Sequence, residues 1–207
     1  MSIKSLLGHP AAFRLFTRGL GGPAVREWLM TRWVCPQPGE RLLDLGCGTG
    51  EVLATLPADV EYVGVDLSSA YIAAAKRRWG RRGTFLCGDV CSVDLGAGLF
   101  DRAVAIALLH HLNDAAASAL TQLVCRHVRQ GGSFVTIDAD GGRDVSWLAR
   151  RIIQQDRGRD IRTADGYREI LSACGPVEIE RRTDLLRIPY AHVIARVTIK
   201  MMSGARD

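Results

Sequence analysis

The stretch Leu42–Gly50, LLDLGCGTG, joins an apolar run to a glycine-rich turn and decides the fold of this chain. Glycines at such positions allow a tight turn and let a ligand approach the bare backbone. A helical pattern follows, so the free N–H groups at the start of that helix are also available to a ligand. The spacing is G-x-G-x-G rather than the G-x-G-x-x-G of dinucleotide sites. Asp44 precedes the turn, and its carboxylate disfavours a pyrophosphate ligand.

Apolar runs of the same kind recur along the chain and predict a parallel sheet. They are continuous rather than alternating, which is typical of strands that are covered on both faces. Apolar residues recur at helical spacing in three intervening stretches: Glu51–Leu56, the stretch that begins at Ser69 and the stretch that begins at Asp114. Alternating strands and helices predict a doubly wound α/β sheet with right-handed crossovers. The predicted strands are Arg41–Leu45, Tyr62–Asp66, Thr84–Cys87, Arg102–Leu108 and Ser133–Asp138.

The C-terminal end of the chain follows a different pattern. Val177–Arg182 and His192–Ile199 are strand-like, and only the short link Thr183–Ala191 separates them. Parallel neighbours need a crossover of about a dozen residues or more, so this link predicts an antiparallel hairpin at the sheet edge. The predicted fold is therefore Rossmann-like and doubly wound. Its sheet is mostly parallel and seven-stranded, with an antiparallel C-terminal hairpin strand.

Composition excludes several classes of protein. Hydrophobic residues make up 47% of the chain and charged residues 24%, which excludes disordered, collagen-like and coiled-coil chains. No window approaches the roughly 18 consecutive apolar residues of a membrane span, and the N-terminus is a poor signal peptide. The six cysteines form no C-x-x-C pair. We therefore expect reduced thiols, no metal site and a cytoplasmic location.

Two further acidic positions follow predicted strands. Asp66 ends the second strand, where one carboxylate has two oxygens that can accept both hydroxyls of a ribose. Asp89 follows the third strand within Gly88–Val90. Its carboxylate can accept a hydrogen bond from an adenine amino group while Val90 lies against the ring.

With these elements the chain resembles the class I S-adenosylmethionine-dependent methyltransferases. Within them it looks most like the small-molecule branch related to ubiquinone and menaquinone C-methyltransferases. The resemblance rests on the glycine turn with Asp66 and Asp89, and it covers residues 40–139. It implies S-adenosylmethionine (SAM) as cofactor, S-adenosylhomocysteine (SAH) as product, and no metal. The glycines wrap the methionine part, Asp66 holds the ribose, and Asp89 binds the adenine edge. Asp44 lies near the amino acid end or positions the loop. The predicted cofactor-binding residues are Asp44, Gly46, Cys47, Gly48, Gly50, Asp66, Leu67, Asp89 and Val90.

One methyltransferase domain over residues 1–207 accounts for the whole length. We divide it into an N-terminal helical lid segment over 1–36 and a cofactor-binding core over 37–139. A helical lid or acceptor segment follows over 140–175, and the C-terminal β-hairpin covers 176–207. In the first segment one helical stripe carries Val25, Trp28, Leu29 and Trp33.

Two histidines lie where the fourth predicted strand ends, at the open edge of the sheet. His110 and His111 titrate near neutral pH, as a general base for an oxygen or carbon acceptor requires. Either is predicted to remove a proton from the acceptor or to orient it. The alternative is that they only line the pocket or cap a helix.

An arginine cluster predicts the charge of the acceptor. Arg157, Arg159 and Arg162 lie in or just after the lid-like insertion, with Tyr167 nearby. Guanidinium groups match phosphates and carboxylates with two parallel hydrogen bonds, so these residues predict an anionic acceptor. A solvated charged face is the alternative.

The predicted function is methyl transfer to a small molecule, with a biosynthetic pathway as its setting. The basic run Lys76–Arg82 keeps an RNA or protein methyltransferase open, although cations at a helix C-terminus also offset the helix dipole. Nucleic acid is disfavoured because the fourth strand ends in Leu-His-His-Leu rather than N/D-P-P-Y/F. A non-catalytic SAM-binding regulator is the third interpretation. The oligomeric state stays open.

Overall fold

A computed structural model shows a seven-stranded sheet, and it describes residues 10–142, 146–147, 151 and 160–200. The strand order is β3-β2-β1-β4-β5-β7-β6. All neighbouring pairs from β3 to β5 are parallel, and β7 is antiparallel to both of its neighbours. The strands are β1 Arg41–Leu45, β2 Glu61–Asp66, β3 Thr84–Cys87, β4 Phe100–Ile106, β5 Val128–Ala139, β6 Val177–Arg182 and β7 His192–Thr198.

Helices cover both faces of the sheet, as the continuous apolar strands predict. In β1 the side chains of Leu43 and Leu45 belong to one buried cluster, and that of Leu42 belongs to the other. Successive side chains of a strand point to opposite faces, so an apolar run fills two cores. The helices are α1 Pro10–Gly19, α2 Gly22–Leu29, α3 Ser69–Trp79, α4 Asp114–His127 and α5 Ala164–Leu171.

The predicted C-terminal hairpin is confirmed, but its reversed strand does not lie at the edge. β7 inserts between β5 and β6, so β6 forms the edge. The sequences explain this order. β7 is mostly buried, whereas β6, VEIERR, is half-buried or exposed throughout. The more apolar strand takes the position that is paired on both sides.

One local prediction differs from the structure. The helix predicted at Glu51–Leu56 is a 3₁₀ turn over Glu51–Thr55. Within the predicted lid or acceptor segment 140–175, residues 143–145, 148–150 and 152–159 lie outside the described part of the chain.

The N-terminal helices pack as the predicted stripe requires. Val25, Leu29 and Trp33 are buried and Trp28 is half-buried. No helix among the described residues has the length and apolarity needed to cross a membrane.

The expectation that every cysteine is a reduced thiol is wrong. Cys125, near the end of α4, forms a disulfide with Cys174, whose Cα atom lies 5.4 Å away. Cys174 follows α5 in the short turn Ser172–Cys174, and this turn packs against α4. The two residues are 49 positions apart, so the pattern of cysteine spacing carries no sign of the pair.

Candidate active site

The glycine turn after β1 adopts a backbone that only glycine enters without strain. Gly46, Gly48 and Gly50 have φ angles of 74°, 55° and 74°. These values lie in the left-handed region, where a Cβ atom clashes with its own backbone. The turn is fixed to β2, because the amides of Gly46 and Cys47 both donate to the carbonyl of Val65 at 2.8 and 2.9 Å.

Alanine substitutions separate backbone strain from crowding in this turn. A Cβ atom on Gly50 lies 2.8 Å from Phe85 Cε1 and 2.9 Å from Trp79 Cδ1, whereas one on Gly48 meets nothing within 4 Å. We expect Gly50→Ala to lower the free energy of unfolding by about 2–5 kcal/mol, from left-handed strain and overpacking together. Gly48→Ala should lower the free energy of unfolding by about 1–2 kcal/mol, from left-handed strain alone.

Urea unfolding followed by tryptophan fluorescence measures both losses. Equal destabilisation of the two variants would contradict the packing assigned to Gly50.

Asp66 ends β2 with both carboxylate oxygens held by backbone amides. Its Oδ2 accepts from the amide of Gly48 at 2.8 Å, and its Oδ1 accepts from the amide of Ser68 at 2.8 Å. Each oxygen keeps a second lone pair for a further donor. The carboxylate is therefore locked in one orientation against the glycine turn, with acceptor capacity left for a ligand.

Asp44 is buried beneath the same turn. It is 1% exposed, and its Oδ2 accepts a hydrogen bond from the hydroxyl of Tyr62 at 2.7 Å. Burial raises the pKa of Asp44 to about 7, partly offset by the Tyr62 hydroxyl, while Asp66 nearby raises it further. Sequence reasoning did not single out Tyr62, although it lies in the predicted second strand. Cys47 is buried beside this pair, and burial raises the pKa of its thiol.

The raised pKa of Asp44 makes stability depend on pH. The unfolded carboxyl ionises near 3.8 and the folded one near 7, so its favourable contribution is complete below about pH 4 and is lost as the pH rises through 7. Between pH 5 and 8, the wild type should lose about 2–3 kcal/mol of unfolding free energy relative to Asp44→Asn.

Urea unfolding of both proteins at several pH values measures the difference, in which other titrating groups largely cancel. Parallel curves for the two proteins would show that Asp44 ionises normally.

The residues predicted to lie on the adenine side of the site are Leu67, Asp89 and Val90. Asp89 is exposed, and its Oδ1 accepts from the amide of Cys91 at 2.9 Å, which closes a turn after β3. Val90 is buried, whereas the Leu67 side chain just after Asp66 is 76% exposed. A leucine left open to solvent beside a fixed carboxylate offers an apolar surface to a flat ring.

These features fit SAM and SAH. The turn presents glycines with open space at Gly48, Asp66 offers paired acceptors for two hydroxyls, and Leu67 offers an apolar contact. When bound, SAM supplies an activated methyl group. Among the described residues no group of three His, Cys, Asp or Glu side chains could hold a metal ion.

His110 forms a buried pair with Asp138 at the carboxyl ends of β4 and β5. The ring is 2% exposed, and its Nδ1 lies 2.8 Å from Asp138 Oδ1, which also accepts from the His110 amide at 3.2 Å. Sequence reasoning missed Asp138 as a site residue. Its position at the end of a strand neighbouring β4 was the available signal, since both strand ends meet at one sheet edge.

His111 lies beside this pair but on the surface. Its side chain is exposed, and its ring centroid is 4.2 Å from that of His110. Another histidine, His192 at the start of β7, is buried, and burial lowers its pKa to about 4. His192 is therefore neutral near pH 7, and His111 is the exposed imidazole at this edge.

The two described residues that were predicted to contact the acceptor, Arg162 and Tyr167, form hydrogen bonds within the fold. Arg162 donates to the carbonyls of Leu109 and Leu112 at 2.9 and 2.7 Å and to Asp114 Oδ1 at 2.8 Å. Tyr167 is 1% exposed, and its hydroxyl donates to the Ala139 carbonyl. Both side chains therefore already have partners within the fold. Arg157 and Arg159 lie outside the described residues.

A sheet of this order, with a glycine turn after β1 and a fixed carboxylate after β2, has the fold of the class I SAM-dependent methyltransferases. Residues 42–132 match the family described as a methyltransferase domain. The recognition made from the sequence is confirmed at this level. Magnesium protoporphyrin IX methyltransferase from Synechocystis PCC 6803, solved with bound SAH, superposes with a TM-score of 0.64. It is 19% identical to this chain, and the superposition covers 86% of this chain and 81% of that one.

Two curated relatives are methyltransferases by name. An O-methyltransferase from Pyrenophora dematioidea is 29% identical over 151 residues, which cover 64% of this chain and 56% of the relative. A demethylmenaquinone methyltransferase from Beutenbergia cavernae is 35% identical over 103 residues, which cover 49% and 42%. The chain spans about half the length of these curated relatives.

Proposed function

We propose that this chain transfers the methyl group of SAM to a small organic acceptor. The observation that carries the proposal is the carboxylate of Asp66, which two backbone amides hold against the glycine turn. A preset pair of acceptors at a strand end suits ribose hydroxyls. The demethylmenaquinone methyltransferase among the relatives acts on a small molecule by name and supports the same activity.

The acceptor side is assigned to the edge formed by β4 and β5. His111 is exposed there, and His110 lies behind it with Nδ1 on Asp138. Methyl transfer is an in-line displacement, so the protein has to align the nucleophile and exclude water. We assign His111 to removing the acceptor proton or holding the acceptor. His110 and Asp138 are positioning residues that fix the backbone and ring beside it.

The internal contacts of the basic run Lys76–Arg82 argue against a macromolecular acceptor. Arg82 donates to the carbonyls of Leu56 and Pro57 at 3.3 and 2.7 Å, so it closes the loop before β2. Arg78 pairs with Glu51 and lies over the Trp79 ring. Two of the cations are therefore engaged within the fold, which leaves a smaller surface for a polyanion.

Methyl-labelled SAM tests the proposed function directly. The purified protein is added to source-cell extract, and the RNA, protein and small-molecule pools are separated. We expect the label in the small-molecule pool, with none above background when Asp66→Ala replaces the wild type. Label in RNA or protein would overturn the small-molecule assignment and would indicate that Lys76–Arg82 is a binding surface for the macromolecule. Calorimetric titration with SAH separates an absent acceptor from a protein that does not bind the cofactor.

A further inference from the structure

A cavity of about 570 Å³ lies outside the site described above. It is open to solvent and is bordered by α1, α2, the turn Glu51–Thr55 that follows the glycines, and the end of α3. Its volume falls within the range of roughly 300–1,000 Å³ that is typical of small-molecule sites. The cavity is therefore large enough for an organic ligand rather than a single ion.

The charge lining this cavity is strongly positive. Arg14, Arg18, Arg26 and Arg78 border it, and Glu51 is its one acidic lining residue among those described. Glu51 is already engaged, because it pairs with Arg78 and accepts from the Thr49 hydroxyl. No ion pair involves the other three arginines within the described ranges. Their positive charge is left for a ligand to neutralise.

Arg26 lines the cavity close enough to Glu51 and Asp44 for their charges to act on it. It is half-buried on α2, and burial lowers the pKa of its guanidinium, while the carboxylates of Glu51 and Asp44 oppose that shift. Asp44 has its own pKa raised to about 7, so near neutral pH it compensates Arg26 only in part. A desolvated guanidinium is stabilised by an anion that reaches it.

One wall of the cavity is apolar. Leu15, which is 74% exposed, lines it together with Ala11, Pro23 and Ala54. Apolar contacts combined with a few convergent charged groups are characteristic of sites for small organic ligands. The lining thus matches a molecule with an apolar body and one anionic end.

We propose that this cavity binds a small organic anion, whose carboxylate or phosphate group is held by the arginines. Guanidinium groups bind both kinds of anion through paired, charge-assisted hydrogen bonds. The apolar body of the ligand then lies against Leu15 and its neighbours.

Calorimetric titration with phenyl phosphate tests this site in protein saturated with SAH. We expect one binding site in the wild type and binding at least about tenfold weaker in Arg14→Gln/Arg18→Gln, since charge-assisted hydrogen bonds are lost. Arg77→Gln is the matched control, because it removes an exposed cation of the basic run that does not line the cavity. Its affinity for phenyl phosphate should equal that of the wild type.

The affinity for SAH, measured on the same proteins, separates this proposal from the proposed function. A wild type that does not bind SAH refutes the proposed function, and the anion site is then judged by phenyl phosphate binding alone. A wild type that binds SAH but not phenyl phosphate overturns the anion site alone. Equal phenyl phosphate affinity in the double variant, or a loss in Arg77→Gln as large as in that variant, also overturns it. A tenfold loss of SAH affinity in the double variant assigns the arginines to the cofactor instead.

Discussion

Asp66→Ala should weaken SAH binding by about 10²–10⁴-fold, because the two charge-assisted hydrogen bonds proposed between Asp66 and the ribose hydroxyls are each worth roughly 1.5–3 kcal/mol. The variant also removes the acceptor for the amides of Gly48 and Ser68, so the glycine turn loses its attachment to the end of β2. Both consequences act in the same direction. Isothermal titration calorimetry with SAH measures the loss.

Two further variants make this result specific. Asp66→Asn keeps the shape but offers one oxygen acceptor instead of two, so its affinity should fall between those of the wild type and the alanine variant. Asp59→Ala removes an exposed carboxylate from the turn before β2 and should bind SAH like the wild type. Thermal unfolding establishes that each variant is folded. An alanine variant within about threefold of the wild type would refute the ribose contact.

His111→Ala should slow single-turnover methyl transfer by about 10²–10⁴-fold, which is the usual contribution of a positioned general base. The reaction uses labelled SAM and the acceptor-containing fraction from the extract. The wild-type rate should rise with pH as the imidazole loses its proton, and this rise should be absent from the variant. SAH affinity should stay unchanged, since no predicted cofactor contact involves His111.

The positioning residues give a different signature. Asp138→Asn removes the charge beside His110 Nδ1 and should lower the rate less than His111→Ala while shifting its pH dependence. His127→Ala is the control, because that ring bonds to the Leu123 carbonyl within α4. If His111→Ala retains the wild-type single-turnover rate, His111 is not the base.

Much of the cofactor side of this protein follows from the sequence alone. The stretch Leu42–Gly50 predicts a strand that ends in a tight turn. Its three alternate glycines suit a turn because left-handed backbone at those positions favours glycine. Asp66 ends the next apolar run, and parallel strands bring both ends to one edge. Local backbone preference and strand periodicity act over a few residues, so a single sequence displays them.

Only the tertiary structure decides the remaining features. The pairing of Asp44 with Tyr62, of His110 with Asp138 and of Cys125 with Cys174 joins residues from different elements, and no local pattern marks any of them. Arg162 resembles an anion contact in the sequence but bonds to backbone carbonyls in the fold. Whether a charged side chain meets a ligand or its own chain depends on packing between distant segments, and that packing is settled when the sheet and its helices assemble.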